Sequence, residues 1–389
     1  RLRRELPGVV DDVRPSETAW DGVERGIVRH RRRVMVARAG VATVVLAAFG
    51  AILWWAATTF TGEKPGPVPA THPPSPRPSA TAPPSGEAKG FHPQSIAFFD
   101  PQDGLAGGTT PTNCGEGFPC GGAIERTTDS GKTWTVVFRG EQPVTGLSVF
   151  GDEAWAVAGG CATSSLCQNA ILHSADGGVT WEALGQDFVY SLGFADQNLG
   201  WALSTRAQLE TQNQPIARTV DGGASWQDIP SPCPADAPVP SSVDFAAPAN
   251  GWVACVGDAA TIQQGKAVFE STDGGVTWRP RAEVLTGASR AGDLSISGHT
   301  PRLFFLPDGH GWLWLDRDCL YATTDDGATW TQVGADICKP DLNFVANVQF
   351  FTDTDGIGLM QAADVQQLQL IASDDGGVSW SVVRTWQSG

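Results

Sequence analysis

One octapeptide recurs six times in the C-terminal part of this chain, and no other feature restricts the fold as tightly. Its pattern is Ser/Thr-x-Asp-x-Gly-x-Ser/Thr-Trp. The copies are TTDSGKTW from Thr127, SADGGVTW from Ser174, TVDGGASW from Thr219, STDGGVTW from Ser271, TTDDGATW from Thr323 and SDDGGVSW from Ser373. Their aspartates, Asp129, Asp176, Asp221, Asp273, Asp325 and Asp375, are 47, 45, 52, 52 and 50 residues apart. That period is the length of one propeller blade. The residue types suit a hairpin turn, because glycine reaches positive φ without a steric penalty and the aspartate accepts hydrogen bonds from turn amides. The tryptophan opens the next strand and carries the largest apolar surface of the motif. The six aspartates, with Trp134, Trp181, Trp226, Trp278, Trp330 and Trp380, are therefore expected to be structural.

A second element precedes each copy: DGLAGG, DEAWAVAGG, NLGWALS, NGWVACVG, HGWLWLD and DGIGLMQ. Before each of these stands an apolar run, SIAFF, GLSVF, YSLGF, SVDF, RLFFL or NVQFF, suited to an innermost strand. With a strand leading into each octapeptide and one leaving it, every unit yields four strands. The expectation is an all-β fold, a β-propeller of about six blades over residues 91–389. Its 46 Gly and 15 Trp, against 2 Met and 2 Tyr, fit short strands and tight turns.

These paired elements resemble the Asp-box, or BNR, repeats of sialidases, sortilin-type receptors, some glucanases and photosystem II assembly factors. The resemblance covers roughly residues 91–389 and is nearest in style to the assembly-factor branch, which in bacteria includes many exported proteins. It implies a propeller of the sialidase-like superfamily whose Asp boxes lie at the blade periphery, away from the ligand face.

Upstream, the 22 residues from Ala39 to Phe60 are uncharged and long enough to cross a bilayer as one helix. Arg29, Arg31, Arg32, Arg33 and Arg38 precede this run, and Lys64 is the first base after it, so the N-terminus is expected in the cytoplasm and the propeller outside. The 38 residues ahead of the run and its full length favour an uncleaved signal-anchor over a cleaved signal peptide. Residues 1–38 form a short cytoplasmic segment that resembles the starts of actinobacterial membrane proteins encoded near sigma factors, and a cytoplasmic partner is one expectation for it. The chain opens on Arg1 rather than Met, which leaves this end open. Residues 61–90, rich in Pro, Ser and Thr, read as an extended linker.

All eight cysteines follow the apolar run, where an oxidising compartment preserves disulfides. Proximity suggests pairing Cys114 with Cys120, Cys161 with Cys167, Cys233 with Cys255 and Cys319 with Cys338. A zinc site is disfavoured, since no C-x-x-C occurs and the six histidines are scattered.

The formal charge is −16, and residues 1–38 contribute +4, so the remainder carries −20. A surface so acidic repels phosphate backbones and excludes a nucleic-acid partner. A sialidase reading would need a tyrosine nucleophile and an arginine triad. The Arg-Ile-Pro element that the resemblance leads one to expect is missing, and the two tyrosines, Tyr190 and Tyr321, are expected to be packed. A glucanase needs only two carboxylates, and Asp244, Asp258, Asp293 and Asp316 are among the choices. Asp353 and Asp355 read as a polar turn rather than a calcium loop, and no G-x-S-x-G nucleophile element occurs. Three connections differ most between repeats: Cys161 to Cys167, STRAQLETQNQP with Arg206 and Arg218 at its borders, and LTGASRAGDLSISGHT with Arg290. Each is read as a solvated insertion. No catalytic, cofactor or metal residue is assigned. The expected role is a membrane-anchored binding, scaffold or sensing module for a protein or glycan ligand, and the alternative is an exported glycoside hydrolase.

Overall fold

The computed structural model describes residues 86–111, 121–159, 168–204, 215–260, 263–285, 290–291, 294–316, 318–334, 344–361 and 367–387. Residues 1–38, expected in the cytoplasm, the apolar run and most of the expected linker lie outside these residues. Of two compact units, Arg1–Pro78 and Ser79–Gly389, only the second contains described residues. Among them no helix is long and apolar enough to cross a membrane.

The described strands form six antiparallel sheets, each built from consecutive strands. Blade 1 holds β1 (His92–Phe98), β2 (Gly104–Thr109), β3 (Gly122–Thr127) and β4 (Thr135–Gly140). Blade 2 holds β5 (Val144–Phe150), β6 (Glu153–Ala158), β7 (Asn169–Ser174) and β8 (Glu182–Asp187). Blade 3 holds β9 (Val189–Phe194), β10 (Gly200–Ser204), β11 (Ile216–Thr219) and β12 (Gln227–Ile229). Blade 4 holds β13 (Val239–Phe245), β14 (Gly251–Ala260), β15 (Gln263–Ser271), β16 (Arg279–Val284) and the short edge strand β17 (Arg290–Ala291). Blade 5 holds β18 (His299–Phe305), β19 (Gly311–Asp316), β20 (Leu320–Thr323) and β21 (Thr331–Val333). Blade 6 holds β22 (Phe344–Phe350), β23 (Gly356–Gln361), β24 (Gln367–Ser373) and β25 (Ser381–Gln387). The innermost strands touch in the order β1, β5, β9, β13, β18, β22 and back to β1, so the sheets close a six-bladed β-propeller.

The core repeats one packing unit. The last phenylalanine of an innermost strand lies over the first glycine of the next strand, so that a Cβ at Gly104, Gly200, Gly251, Gly311 or Gly356 would overlap the ring of Phe98, Phe194, Phe245, Phe305 or Phe350. Blade 2 keeps the volume with the opposite choice, placing Val149 opposite Ala154. Between blades, the tryptophan after that glycine, or after Ala154 in blade 2, stacks on the next blade's phenylalanine: Trp155 on Phe194, Trp201 on Phe245, Trp252 on Phe305 and Trp312 on Phe350, with ring centroids 3.4 to 3.9 Å apart. The octapeptide tryptophan then meets the same phenylalanine edge-on, as Trp226 meets Phe194 at 5.9 Å. Aromatic pairs of this kind add about 0.5–1.5 kcal/mol each beyond the area they bury.

Blades 1 and 2 have no such stack, Leu105 and Val149 sharing one apolar cluster instead, and neither do blades 6 and 1. Ile357 takes the tryptophan position and packs with Phe98 and Trp134. The seam is closed by side chains: Gln349 accepts from the Phe98 amide (2.9 Å) and donates to its carbonyl (2.8 Å), and Arg384 pairs with Glu87 (2.7 Å). Residues 86–91 lie along it, with Ala88 and Phe91 in the seam core.

Candidate functional site

At one end of every blade sits an octapeptide turn that uses up its own polar groups. In blade 4, Asp273 Oδ1 accepts from the Thr277 amide (2.8 Å) and the Ser271 hydroxyl (2.9 Å), and Oδ2 accepts from the Thr277 hydroxyl (2.6 Å). Ser271 Oγ in turn accepts from the Gly275 amide (2.8 Å). The same bonds recur at Asp129, Asp176, Asp221, Asp325 and Asp375. All six carboxyls are held below the ordinary range. For Asp129, which reaches about 2, and for Asp221, Asp273 and Asp375, the bonds from the Thr or Ser four residues later dominate. For Asp176 and Asp325 burial pulls upward, and those bonds outweigh it. The tryptophans following the turns are buried or half-buried, and Trp134, Trp181, Trp330 and Trp380 return their indole N–H to a turn carbonyl. Among the described residues no cluster of His, Cys, Asp and Glu is arranged to hold a metal.

The opposite end is different. Each innermost strand carries a β-bulge at the same place, four residues before its final core residue: at Gln94, Thr145, Tyr190, Ser241, Pro301 and Ala346. A bulge leaves one residue out of the ladder, bends the strand and re-aims a side chain. Here bulges of neighbouring blades meet. The Ser241 hydroxyl donates to the Pro301 carbonyl (2.9 Å), and Gly146 lies beside the Tyr190 carbonyl. Burial raises the Tyr190 hydroxyl of blade 3, and the Arg302 charge of blade 5 pulls against it. The β2–β3, β6–β7, β10–β11, β14–β15, β19–β20 and β23–β24 connections all join strands at this end, and each contains residues outside those described.

The axis is poor in charge. Across the six innermost strands only Asp244 and Arg302 are charged, beside His92 and His299. Arg302 pairs with Asp316 on the neighbouring strand (3.1 Å). Asp244 accepts from the Phe305 amide of the next blade (2.6 Å), and burial pushes its carboxyl up to about 7 against that bond. The same strands carry hydroxyls and amides at Gln94, Thr145, Tyr190, Ser241, Ser242 and Asn347. These groups can donate and accept hydrogen bonds, and Asp244 is the one carboxylate on the six strands.

Of the carboxylates considered from sequence, Asp244 and Asp316 are therefore already engaged, Asp258 is exposed on β14, and Asp293 lies outside the described residues. Burial pushes the Tyr190 hydroxyl up to about 12, away from nucleophilic activation, while Arg302 pulls the other way. Tyr321 is buried, its hydroxyl also raised by burial, and it donates to Asp318 (3.3 Å). Asp355 accepts from Thr352 (2.8 Å) within its own turn, beside the exposed Asp353. Cys233 and Cys255 form a disulfide, Cα to Cα 5.5 Å. Cys319 is disulfide-bonded, while Cys114, Cys120, Cys161, Cys167 and Cys338 lie outside the described residues.

Of the three variable connections, Cys161 to Cys167 and Arg206 fall outside the described residues. Arg218 sits over the Trp201 ring at 5.9 Å. The third departs from the solvated insertion read in sequence: Arg290 and Ala291 pair with β16, Leu294 is fully buried, and the backbone from Ser295 to Gly298 wraps a lysine. Sequence reasoning missed this lysine, Lys266, and the bulges.

No protein-family model matches the chain, and no curated protein matches it. Among solved structures it is similar to YCF48 bound to D1 peptide, with 17% identity over 78% of this chain and 82% of that one at a TM-score of 0.44. It is similar to YCF48 from Cyanidioschyzon merolae, with 16% identity over 75% and 84% at a TM-score of 0.42. It is also similar to the GH74 xyloglucanase from Xanthomonas campestris, with 15% identity over 78% of this chain at a TM-score of 0.46, where it spans 46% of the enzyme.

Proposed function

We propose that this chain is a membrane-anchored, extracytoplasmic propeller that binds a protein or glycan ligand at the bulge end of its axis. In this reading the octapeptides are Asp boxes of the BNR type with a structural task. Ala39 to Phe60 is the anchor, residues 61–85 are the spacer, and residues 1–38 stay in the cytoplasm; residues 86–90, read from sequence as linker, pack instead on the seam of blades 6 and 1. The observation that carries the reading is the ring of bulges at one level of all six innermost strands. A bulge disrupts pairing, and repetition in six strands of unlike sequence marks a built feature rather than a defect. The low acid content of the same strands supports binding over hydrolysis.

The test is site-specific photo-crosslinking from the full chain in its native membrane. A crosslinker at Gln94, Thr145 or Ser241 is expected to capture the ligand, and one at Val179, Val276 or Val378, exposed on the octapeptide turns, is expected to capture nothing. Crosslinks from the valines alone would overturn the reading. So would hydrolysis of a glycan by the purified chain that is lost on Asp244→Asn.

A further inference from the structure

Lys266 projects from β15 into the body of the fold, with 1% of its surface exposed. Its Nζ lies within hydrogen-bonding distance of five backbone carbonyls: Gln264 (2.9 Å), Ser295 (3.3 Å), Ile296 (3.2 Å), Ser297 (3.0 Å) and Gly298 (3.0 Å). An ammonium has three protons to donate, so five oxygens around it are held by charge as much as by directed bonds. Rings of carbonyl dipoles at such distances are how proteins replace the hydration shell of potassium.

We infer that the Lys266 ammonium is a built-in stand-in for a monovalent cation, and that the arch from Ser295 to Gly298 is a carbonyl cage folded around it. Four successive carbonyls pointing at one spot repel one another unless a positive charge sits there. The arch also needs unusual backbone: Gly298 has φ 71° and Thr300, a β-branched residue, has φ 42°. Such conformations persist where the surroundings hold them. Gln264 ties the arch to its neighbours, donating its amide to the Ile296 carbonyl (3.1 Å), accepting from the Thr300 amide (2.9 Å) and donating its side chain to the Gly257 carbonyl (2.8 Å). Ser295 donates to Asp318 (3.0 Å). Thr300 and Pro301 are themselves the bulge of blade 5, so the cage sets the direction from which that bulge reaches the axis. The cage does not depend on what the axis binds; only this last consequence rests on the proposed function.

The test compares the full chain with Lys266→Ala and Lys266→Met by thermal unfolding in chloride salts of potassium, rubidium, ammonium, sodium and choline at equal ionic strength. Lys266→Ala empties the cage. It is expected to melt several degrees below wild type in choline and to regain about half the loss in potassium, rubidium or ammonium, and little in sodium. Wild type should not discriminate among the salts, and Lys266→Met, whose stem fills the space without charge, should be destabilised in all of them. A Lys266→Ala melting temperature that is the same in every salt overturns the inference, as does Lys266→Met with wild-type stability. Should Lys266→Ala not fold, hydrogen exchange on Lys266→Met decides. The Gln264 and Thr300 amides are expected to exchange about tenfold faster, with Gly223 unchanged. Unaltered exchange at both overturns it.

Discussion

The indole N–H of Trp312 in blade 5 donates to the carbonyl of Gly376 in blade 6, at 2.9 Å, while the same ring lies flat on Phe350. One side chain thus joins two blades by a polar and an apolar contact, and the two can be separated. Trp312→Phe keeps an aromatic face and leaves the Gly376 carbonyl without its donor, which should cost about 1–2 kcal/mol. Trp312→Ala also removes the stack and should cost about 3–5 kcal/mol. Urea unfolding of both variants measures the difference.

Ser130 has φ 63° in a turn position that four other repeats fill with glycine. The left-handed conformation costs an L-residue about 1–2 kcal/mol. Glycine avoids that cost but loses about 0.5–1 kcal/mol to the freedom of its unfolded chain. Ser130→Gly is therefore expected to stabilise the protein by roughly 0.5–1 kcal/mol, read as a rise in denaturation midpoint with unchanged slope.

The Phe98 and Gly104 pair can be exchanged for the arrangement that blade 2 already uses. Gly104→Ala alone drives a methyl into the Phe98 ring and should cost about 2 kcal/mol or more. Phe98→Val alone opens a cavity. The double variant reproduces Val149 with Ala154, and should be more stable than the sum of the two single losses by about 1 kcal/mol or more. A double-mutant cycle in urea gives this coupling directly, and additivity would contradict the packing described.

Asp244 predicts an inverted pH slope. Its folded carboxyl titrates at about 7, above the ordinary 3.8. Between those values the folded protein holds a proton that the unfolded chain has released, so this group's contribution falls as pH rises through the window. Glu125, 1% exposed and raised to about 7 by burial, acts in the same sense. The octapeptide aspartates act oppositely, and their contribution is lost as pH falls below 3.8. Asp244→Asn should therefore gain on wild type steadily from about pH 4 to pH 7 and hold a constant margin above. Stability measured across that range, parallel for the two proteins, would refute the assignment.

The six-bladed architecture and nearly all of its strands were legible because the octapeptide and the Gly-Trp element carry side chains that only a repeated turn and a repeated stack require. The bulges were not legible. Each adds a single residue inside a strand of six or seven, and Gln94, Thr145, Tyr190, Ser241, Pro301 and Ala346 share no chemistry, because a bulge is a property of backbone pairing. Aligning the six innermost strands on their final core residue would have put all six in one column. Lys266 was hidden for a related reason: all its partners are main-chain carbonyls, four of the five on Ser295, Ile296, Ser297 and Gly298 far along the chain, and main-chain acceptors leave no trace in the residue letters. The Val149 and Ala154 exchange was readable only as an interruption of the Gly-Trp pattern until the ring and the glycine were seen in contact.

The indole bonds between blades also have a direction in time. Trp155 reaches forward to blade 3, Trp252 to blade 5 and Trp312 to blade 6, each completing a turn that is synthesised after it. A chain emerging from its N-terminal end therefore always has the donor in hand when the acceptor arrives. Three positions make no such bond: Leu105 and Ile357 have no proton to give, and the Trp201 indole N–H finds no acceptor among the described residues. Blade 1, whose predecessor in the ring is made last, is bound to it by the Gln349 side chain on the Phe98 backbone, so that tie forms only once blade 6 has been synthesised.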